Sequence, residues 1–304
     1  MKMEKCKRNR RSAACRLALF LLTSCLLLAG CARKDKGPEP VQTKGLPPGN
    51  ALESGAEDGY SYTLYPLHAE ITGYSGSGTD LKLPDTIGGK PVMSIGSGAF
   101  AGLEQLASVE LPSGLRTIGQ SAFDKCTALK RVVFPDTLES IGGYAFRDTA
   151  LEAAEWKEGL YFIGKYAFMN TKLRTVSMPQ TLSVIEKFAF SGCTELETVT
   201  FSERLAALES RTFSGCTGLK EVVLPKTVEK VGDYCFGSCP ALERAVIPGS
   251  VTSVGEGLLS GSGNAQIVTT AGSAAAKCAE RNGYAVRIVS ASELEAFYKA
   301  PASA

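Results

Sequence analysis

Eight side chains set the frame of this chain: Phe100, Phe123, Phe146, Phe168, Phe190, Phe213, Phe236 and Leu259 follow one another at spacings of 22 or 23 residues. A fixed period of that length is the signature of a solenoid. A unit so short cannot bury its own apolar edge, so only stacking on neighbouring units removes these side chains from water, at about 1.5 to 3 kcal/mol for each one fully buried. Stacked units build a long surface and very seldom an enclosed catalytic pocket, so the expectation is a molecule that presents a face.

The rest of the unit keeps the same beat. Five residues before each anchor stands an aliphatic: Ile95, Ile118, Ile141, Ile163, Ile185, Leu208, Val231 and Val254. After the anchor come a leucine (Leu106, Leu129, Leu151, Leu173, Leu196, Leu219, Leu242) and an alternating pair such as Val109 with Leu111 or Val222 with Leu224. Alternation with period two predicts a short strand, and Pro112, Pro135, Pro179, Pro225 and Pro248 end it, because proline has no N–H to donate. Two residues after the anchors stand Gly102, Lys125, Asp148, Asn170, Gly192, Gly215, Ser238 and Gly261, a set rich in types that tolerate a left-handed turn. The glycine after the aliphatic (Gly96, Gly119, Gly142, Gly164, Gly232, Gly255) gives way to Glu186 and Glu209, so that position needs no positive φ and its glycines answer to local compactness.

Rungs such as Leu219-Lys220-Glu221-Val222-Val223-Leu224-Pro225, followed by Val231-Gly232-Asp233-Tyr234-Cys235-Phe236, resemble the BspA-like class of bacterial leucine-rich repeats. The resemblance runs from about Tyr60 to Val289. It implies a β-rich leucine-rich-repeat solenoid of about eight 22–23-residue rungs with a parallel sheet. The segment from Ile71 to Val92 resembles the hairpin-like N-terminal cap of that family, and Ile267 to Val289 its strand-helix-strand C-terminal cap. The family implies a secreted or surface binding scaffold, associated in some members with adhesion and with host or matrix proteins.

The first thirty residues hold seven basic side chains, then an apolar run from Leu17, and end in Leu28-Ala29-Gly30-Cys31. This resembles a bacterial lipoprotein signal, which implies cleavage before Cys31 and acylation of its thiol. The expected organisation is a signal peptide over 1–30, a lipidated cysteine and disordered tether over 31–58, a capped solenoid over 59–290 and a C-terminal tail over 291–304, with a short amphipathic helix through Leu294, Phe297 and Tyr298. The expected location is the bacterial cell envelope, lipid-anchored and extracytoplasmic. Without residues 1–30 the chain keeps 26 basic against 30 acidic side chains, a net of −4, so nothing suggests a nucleic-acid footprint.

Six cysteines remain after the signal and Cys31. Cys126, Cys193, Cys216 and Cys239 fall three residues after anchors, where Thr149 and Thr171 also stand, resembling the Asn/Cys ladder of leucine-rich repeats. Buried free thiols are expected there, with bridges between Cys193 and Cys216, or Cys216 and Cys239, as the open alternative. Cys235 and Cys239 form a C-x-x-x-C without nearby histidines, which favours packing over a metal. The single histidine, His68, is read as a satisfied surface or cap residue. No triad, paired carboxylates or phosphate loop can be composed from the sequence, so neither an enzyme nor a cofactor is expected.

The residues between the inward pairs face the open side of the sheet. They form two columns: Glu110, Val133, Glu155, Ser177, Thr200, Val223 and Val246, flanked by Ser108, Arg131, Thr175, Thr198, Glu221 and Arg244. The candidate partner face is Arg131, Val133, Thr175, Thr198, Glu221, Val223, Arg244 and Val246, because arginine and apolar groups concentrate binding energy. Trp156, in an inward strand place, is read as core. The expectation is a monomeric scaffold for an unidentified host, matrix or envelope protein; the alternatives are a structural envelope lipoprotein, or a glycan-capture accessory, which would want rows of exposed aromatics.

Overall fold

The computed structural model describes residues 46–47 and 49–299. The signal segment and Cys31 lie outside the described residues. From Phe100 on, the chain coils as stacked rungs, and all eight anchors are buried. The seven phenylalanine rings form one continuous stack, with centroids 5.0 to 5.8 Å apart and planes inclined by 3 to 12°. The offset rings fall within the usual spacing for aromatic pairs. Backbone bonds follow the stack: Phe100 N–H donates to Ala122 O, Phe123 to Ala145 and Phe146 to Ala167, each at 2.8 Å. The aliphatic five residues earlier is buried in every rung except the last, where Val254 is half-exposed beside the C-terminal cap.

Two strips of parallel strand flank this stack. One runs through two-residue strands at the aliphatics, including Thr117–Ile118, Ser140–Ile141, Phe162–Ile163 and Val184–Ile185. The other carries the outward columns and is broken into three ladders. Asp80–Lys82, Ser108–Glu110 and Arg131–Val133 form the first; Thr175–Ser177 and Thr198–Thr200 the second; Glu221–Val223, Arg244–Val246, Gln266–Thr270 and Ala285–Val289 the third. The expected strand around Trp156 does not form. Ala153-Ala154-Glu155 has poor β-propensity and offers only a methyl group where other rungs place valine. Trp156 is core nonetheless, edge-on to Phe168 and Phe190.

The left-handed turn after each anchor is present in all eight rungs, with φ between 55° and 78°. The glycine after the aliphatic is a matter of room: a Cβ on Gly119 would stand 2.8 Å from Gly96 C and Ile95 O of the preceding rung. A second left-handed column, unanticipated, lies two residues before the anchors. Ser121, Tyr144, Tyr166, Phe188, Arg211 and Tyr234 all have φ from 51° to 62° there.

Both ends are closed. At the N-terminus Glu53–Glu57, Tyr60–Leu64 and Ala69–Tyr74 pair antiparallel, and the last then runs parallel to Lys90–Ile95. Glu53–Glu57 corrects the tether boundary expected at residue 58: Asp58 and Gly59, at φ 50° and 82°, make the tight turn that folds this strand back into the cap. Tyr60 and Tyr74 lie over the end of the ring stack, with Tyr74 6.0 Å from Phe100. At the other end α1 (Ala274–Asn282) lays Ala275, Ala276, Cys278 and Ala279 on the last rungs. Ser273 caps its N-terminus by accepting from Ala276 N–H, and Gly283 ends it at φ 69°. The tail forms a second helix, α2 (Ala291–Lys299).

His68 also departs from expectation. It lies in the N-terminal cap, one of the two places expected, but it is not satisfied: the ring is buried, stacked on Tyr65 at 4.6 Å, and neither ring nitrogen has a partner. Burial holds its imidazole pKa below the ordinary value.

Candidate binding face

Each three-residue strand turns its central side chain toward the core and its outer two to the opposite face of the sheet, so the chain coil alone sets two columns of outward residues in register. The columns divide into three regions. In the first, Lys82 pairs with Glu110 at 2.6 Å, and Asp80 accepts from the Ser108 hydroxyl, which with Thr79 holds its carboxyl below the usual range. Beyond this network stand Arg131, exposed and without an ion pair among the described residues, and Val133, 43% exposed.

The second region follows the break. Ala153–Glu158 and Thr175–Gln180 splay apart and leave a hollow of about 590 Å³ edged by Trp156 and Met178. Glu158 closes its end by accepting from the N–H groups of Gln180 and Thr181 at 2.9 and 3.1 Å. Thr175 and Ser177 are exposed and Thr198 half-buried, a polar stretch of hydroxyls.

In the third region the structure corrects the sequence reading. Val246 is fully buried, and Val223, Glu221 and Arg244 are half-buried, because α2 lies across them. Leu294, Phe297 and Tyr298 pack on Val246, Val268 and Val289. Arg244 is committed twice: Glu221 takes it bidentate at 2.7 and 3.0 Å, and its guanidinium lies 5.5 Å from the Phe297 ring. The Glu221 bonds raise its pKa further. Arg131, Val133, Thr175 and Thr198 therefore remain on the open face, while Glu221, Val223, Arg244 and Val246 belong to a covered one.

A row of aromatics does occur, away from these columns. Tyr144, Tyr166 and Phe188 stack at 4.7 and 4.6 Å, and Arg211 lies between Phe188 and Tyr234 at 5.7 and 4.8 Å. Arg147, held bidentate by Asp124, covers Tyr144 at 4.8 Å. The ring faces that a sugar would stack on are taken up by one another and by arginines, so the row works as a brace. The signal was readable in the sequence as a bulky residue two places before the anchor.

The six cysteines are unbridged and buried. Cys126, Cys193, Cys216 and Cys239 donate to the anchor carbonyl of the preceding rung at 3.1 to 3.3 Å, and Ser262 does the same at 2.6 Å. Burial pushes the Cys126 thiol to about 12 and those of Cys193 and Cys239 to about 11. These are packing groups, far from the thiolate that nucleophilic or metal chemistry needs. No cluster able to hold a metal occurs among the described residues.

The family model described as BspA type leucine rich repeat region matches residues 79–193 and 161–275. Among solved structures, a leucine-rich repeat protein from Bacteroides ovatus is 22% identical, covers 71% of this chain and 70% of its own, and superposes with a TM-score of 0.56. The T. pallidum leucine rich repeat protein is 26% identical over 79% of this chain and 100% of its own, with a TM-score of 0.38. A leucine rich cell surface protein from Faecalibacterium prausnitzii is 21% identical over 78% and 98%, with a TM-score of 0.34. No curated protein matches the chain.

Proposed function

The chain belongs to the BspA-type leucine-rich repeat family, and from that premise we propose that it is a binding scaffold, not an enzyme, held at the bacterial cell envelope by a lipid on Cys31. Its partner is a protein, met on the open columns around Arg131, Val133, Thr175 and Thr198. The observation that carries this reading is the pair Arg131 and Val133: an arginine without an ion pair among the described residues beside a valine 43% exposed, on rigid parallel strands. Such a pair combines the two side-chain characters that concentrate binding energy, and the strands spare it the entropy of ordering a loop. The neighbouring charges on Lys82 and Glu110 neutralise each other and form a polar rim. Anchoring rests on the basic segment, apolar run and Leu28-Ala29-Gly30-Cys31 of the sequence. Among the described residues no helix is long and apolar enough to cross a membrane.

The test has two arms. Cys31→Ser releases the protein from the membrane fraction; retention there contradicts the anchor. Immobilised residues 46–304 capture the partner from matrix and envelope proteins, and Arg131→Glu with Val133→Asp abolishes capture at an unchanged melting temperature. Capture that survives both substitutions contradicts the assigned face.

A further inference from the structure

The outward column changes character along the solenoid. Ser177 and Thr200 are polar, but Val223, Val246 and Val268 then stand in register on successive strands, with Val289 beside them. α2 lies on this valine strip with Leu294, Phe297 and Tyr298 at i, i+3 and i+4, the spacing by which an amphipathic helix seats in a groove. Two cations flank the strip. Lys226 pairs with Glu295 and lies 4.8 Å from the Tyr298 ring, while Arg244 lies 5.5 Å from that of Phe297.

The helix is lightly held. It has nine residues, fewer than the roughly 12–15 an isolated helix needs, and only Leu294 is fully buried. Its ion pair to Lys226 is 49% exposed on both sides. The Tyr298 hydroxyl is buried without a hydrogen-bond partner, a cost that a better-fitting helix avoids. Val223, at the edge of the strip, is only half-covered.

We propose that the valine strip is a helix-docking site of which α2 is the resident occupant, and that the partner protein offers an amphipathic helix of the same pattern. That helix carries apolar side chains at i, i+3 and i+4, with an acid at i+1 to meet Lys226. This deepens the reading of the open face as a protein-binding surface and rests on it, since the strip continues the same columns beyond Thr200.

The test uses the full chain carrying Leu294→Asp and Phe297→Asp, which unseats α2 while leaving the strip intact. The probe is a synthetic peptide of residues 290–299, titrated into the millimolar range at which a tethered segment competes. Methyl NMR of Val246 and Val268 reports binding. Saturable shifts are expected in the unseated chain, with affinity for the wild type weaker by about tenfold or more because α2 competes. A peptide carrying Tyr298→Phe binds more tightly, and Val246→Asp removes the shifts. Three results overturn the proposal: no saturable shift in an unseated chain whose anchor amides stay protected, equal shifts in the wild type, or loss of the last rungs on unseating, which would make α2 part of the core. Loss of the Arg131 and Val133 assignment leaves this titration untouched, so the two readings fail separately.

Discussion

Phe190→Ala removes a ring from the middle of the stack. Phe190 is fully buried between Phe168 and Phe213, both at 5.4 Å and within 4° of parallel, with Trp156 edge-on at 6.2 Å. Truncating a buried phenylalanine costs about 3 to 5 kcal/mol through lost transfer energy and the cavity left behind. The upper part of that range applies, because Phe168 and Phe213 are each fixed by a further ring on their far side and cannot collapse into the gap. Two stacked contacts also go, each worth about 0.5 to 1.5 kcal/mol beyond burial. A loss of about 4 to 5 kcal/mol lowers the melting temperature by on the order of 10 to 15 °C for a chain of this size. With a urea dependence of about 3 kcal/mol per molar, the midpoint falls by roughly 1.5 M. Val133→Ala serves as the exposed control and stays within about 0.5 kcal/mol. Urea unfolding followed by circular dichroism reads all three chains. A Phe190→Ala midpoint indistinguishable from that of Val133→Ala refutes the ring stack as the source of order.

Other consequences follow from the same geometry. In residues 46–304 under denaturing conditions Cys126, Cys193, Cys216, Cys235, Cys239 and Cys278 each take one equivalent of maleimide, and in the same chain folded at pH 7.5 none reacts at a free-thiol rate; a total below six indicates a bridge. His68 binds its proton less readily in the folded chain than unfolded, so stability is full above the ordinary imidazole pKa of about 6.5 and is lost as pH falls below it; His68→Phe should flatten the melting temperature between pH 7.5 and 5, and an unchanged slope counts against the buried, unpartnered ring. Arg244→Ala should lower stability and loosen α2, whereas Arg131→Ala leaves the melting temperature alone; equal effects in differential scanning fluorimetry contradict the division of the face.

Anchors, aliphatics and outward columns were legible in the sequence because each follows a local rule repeated from rung to rung, whereas the two caps, which occur once each, were read from the resemblance to a known repeat family. The left-handed turn at Asn170 or Gly192 is carried by residue types that favour it. The second turn column was not legible for the opposite reason: Tyr144, Tyr166 and Phe188 avoid positive φ on their own, and what holds them there is non-local, a backbone N–H bond from each to a carbonyl of the following rung with the ring stacking added. Asp58-Gly59 was a readable hairpin turn, hidden because Glu53–Glu57 has no apolar alternation and owes its strand to the partner it pairs with. The missing strand before Trp156 could have been read from Ala153-Ala154. The fate of the candidate site was beyond sequence. Leu294, Phe297 and Tyr298 announce an amphipathic helix, but that it lands on Val246 and Arg244 follows from the three-dimensional turn at Ser290, which no local pattern encodes.

Residue-resolved hydrogen exchange separates order carried by bonds between successive rungs from order carried elsewhere, because Ala153 to Lys157 form no strand in the outward strip. The amides of Phe100, Phe123, Phe146, Phe168, Phe190, Phe213 and Phe236, each bonded to a carbonyl of the following rung, should exchange together and slowest, while Ala153 to Lys157 exchange much faster. Fast exchange at the anchors, or protection at Ala153 to Lys157 equal to theirs, would contradict order carried between rungs.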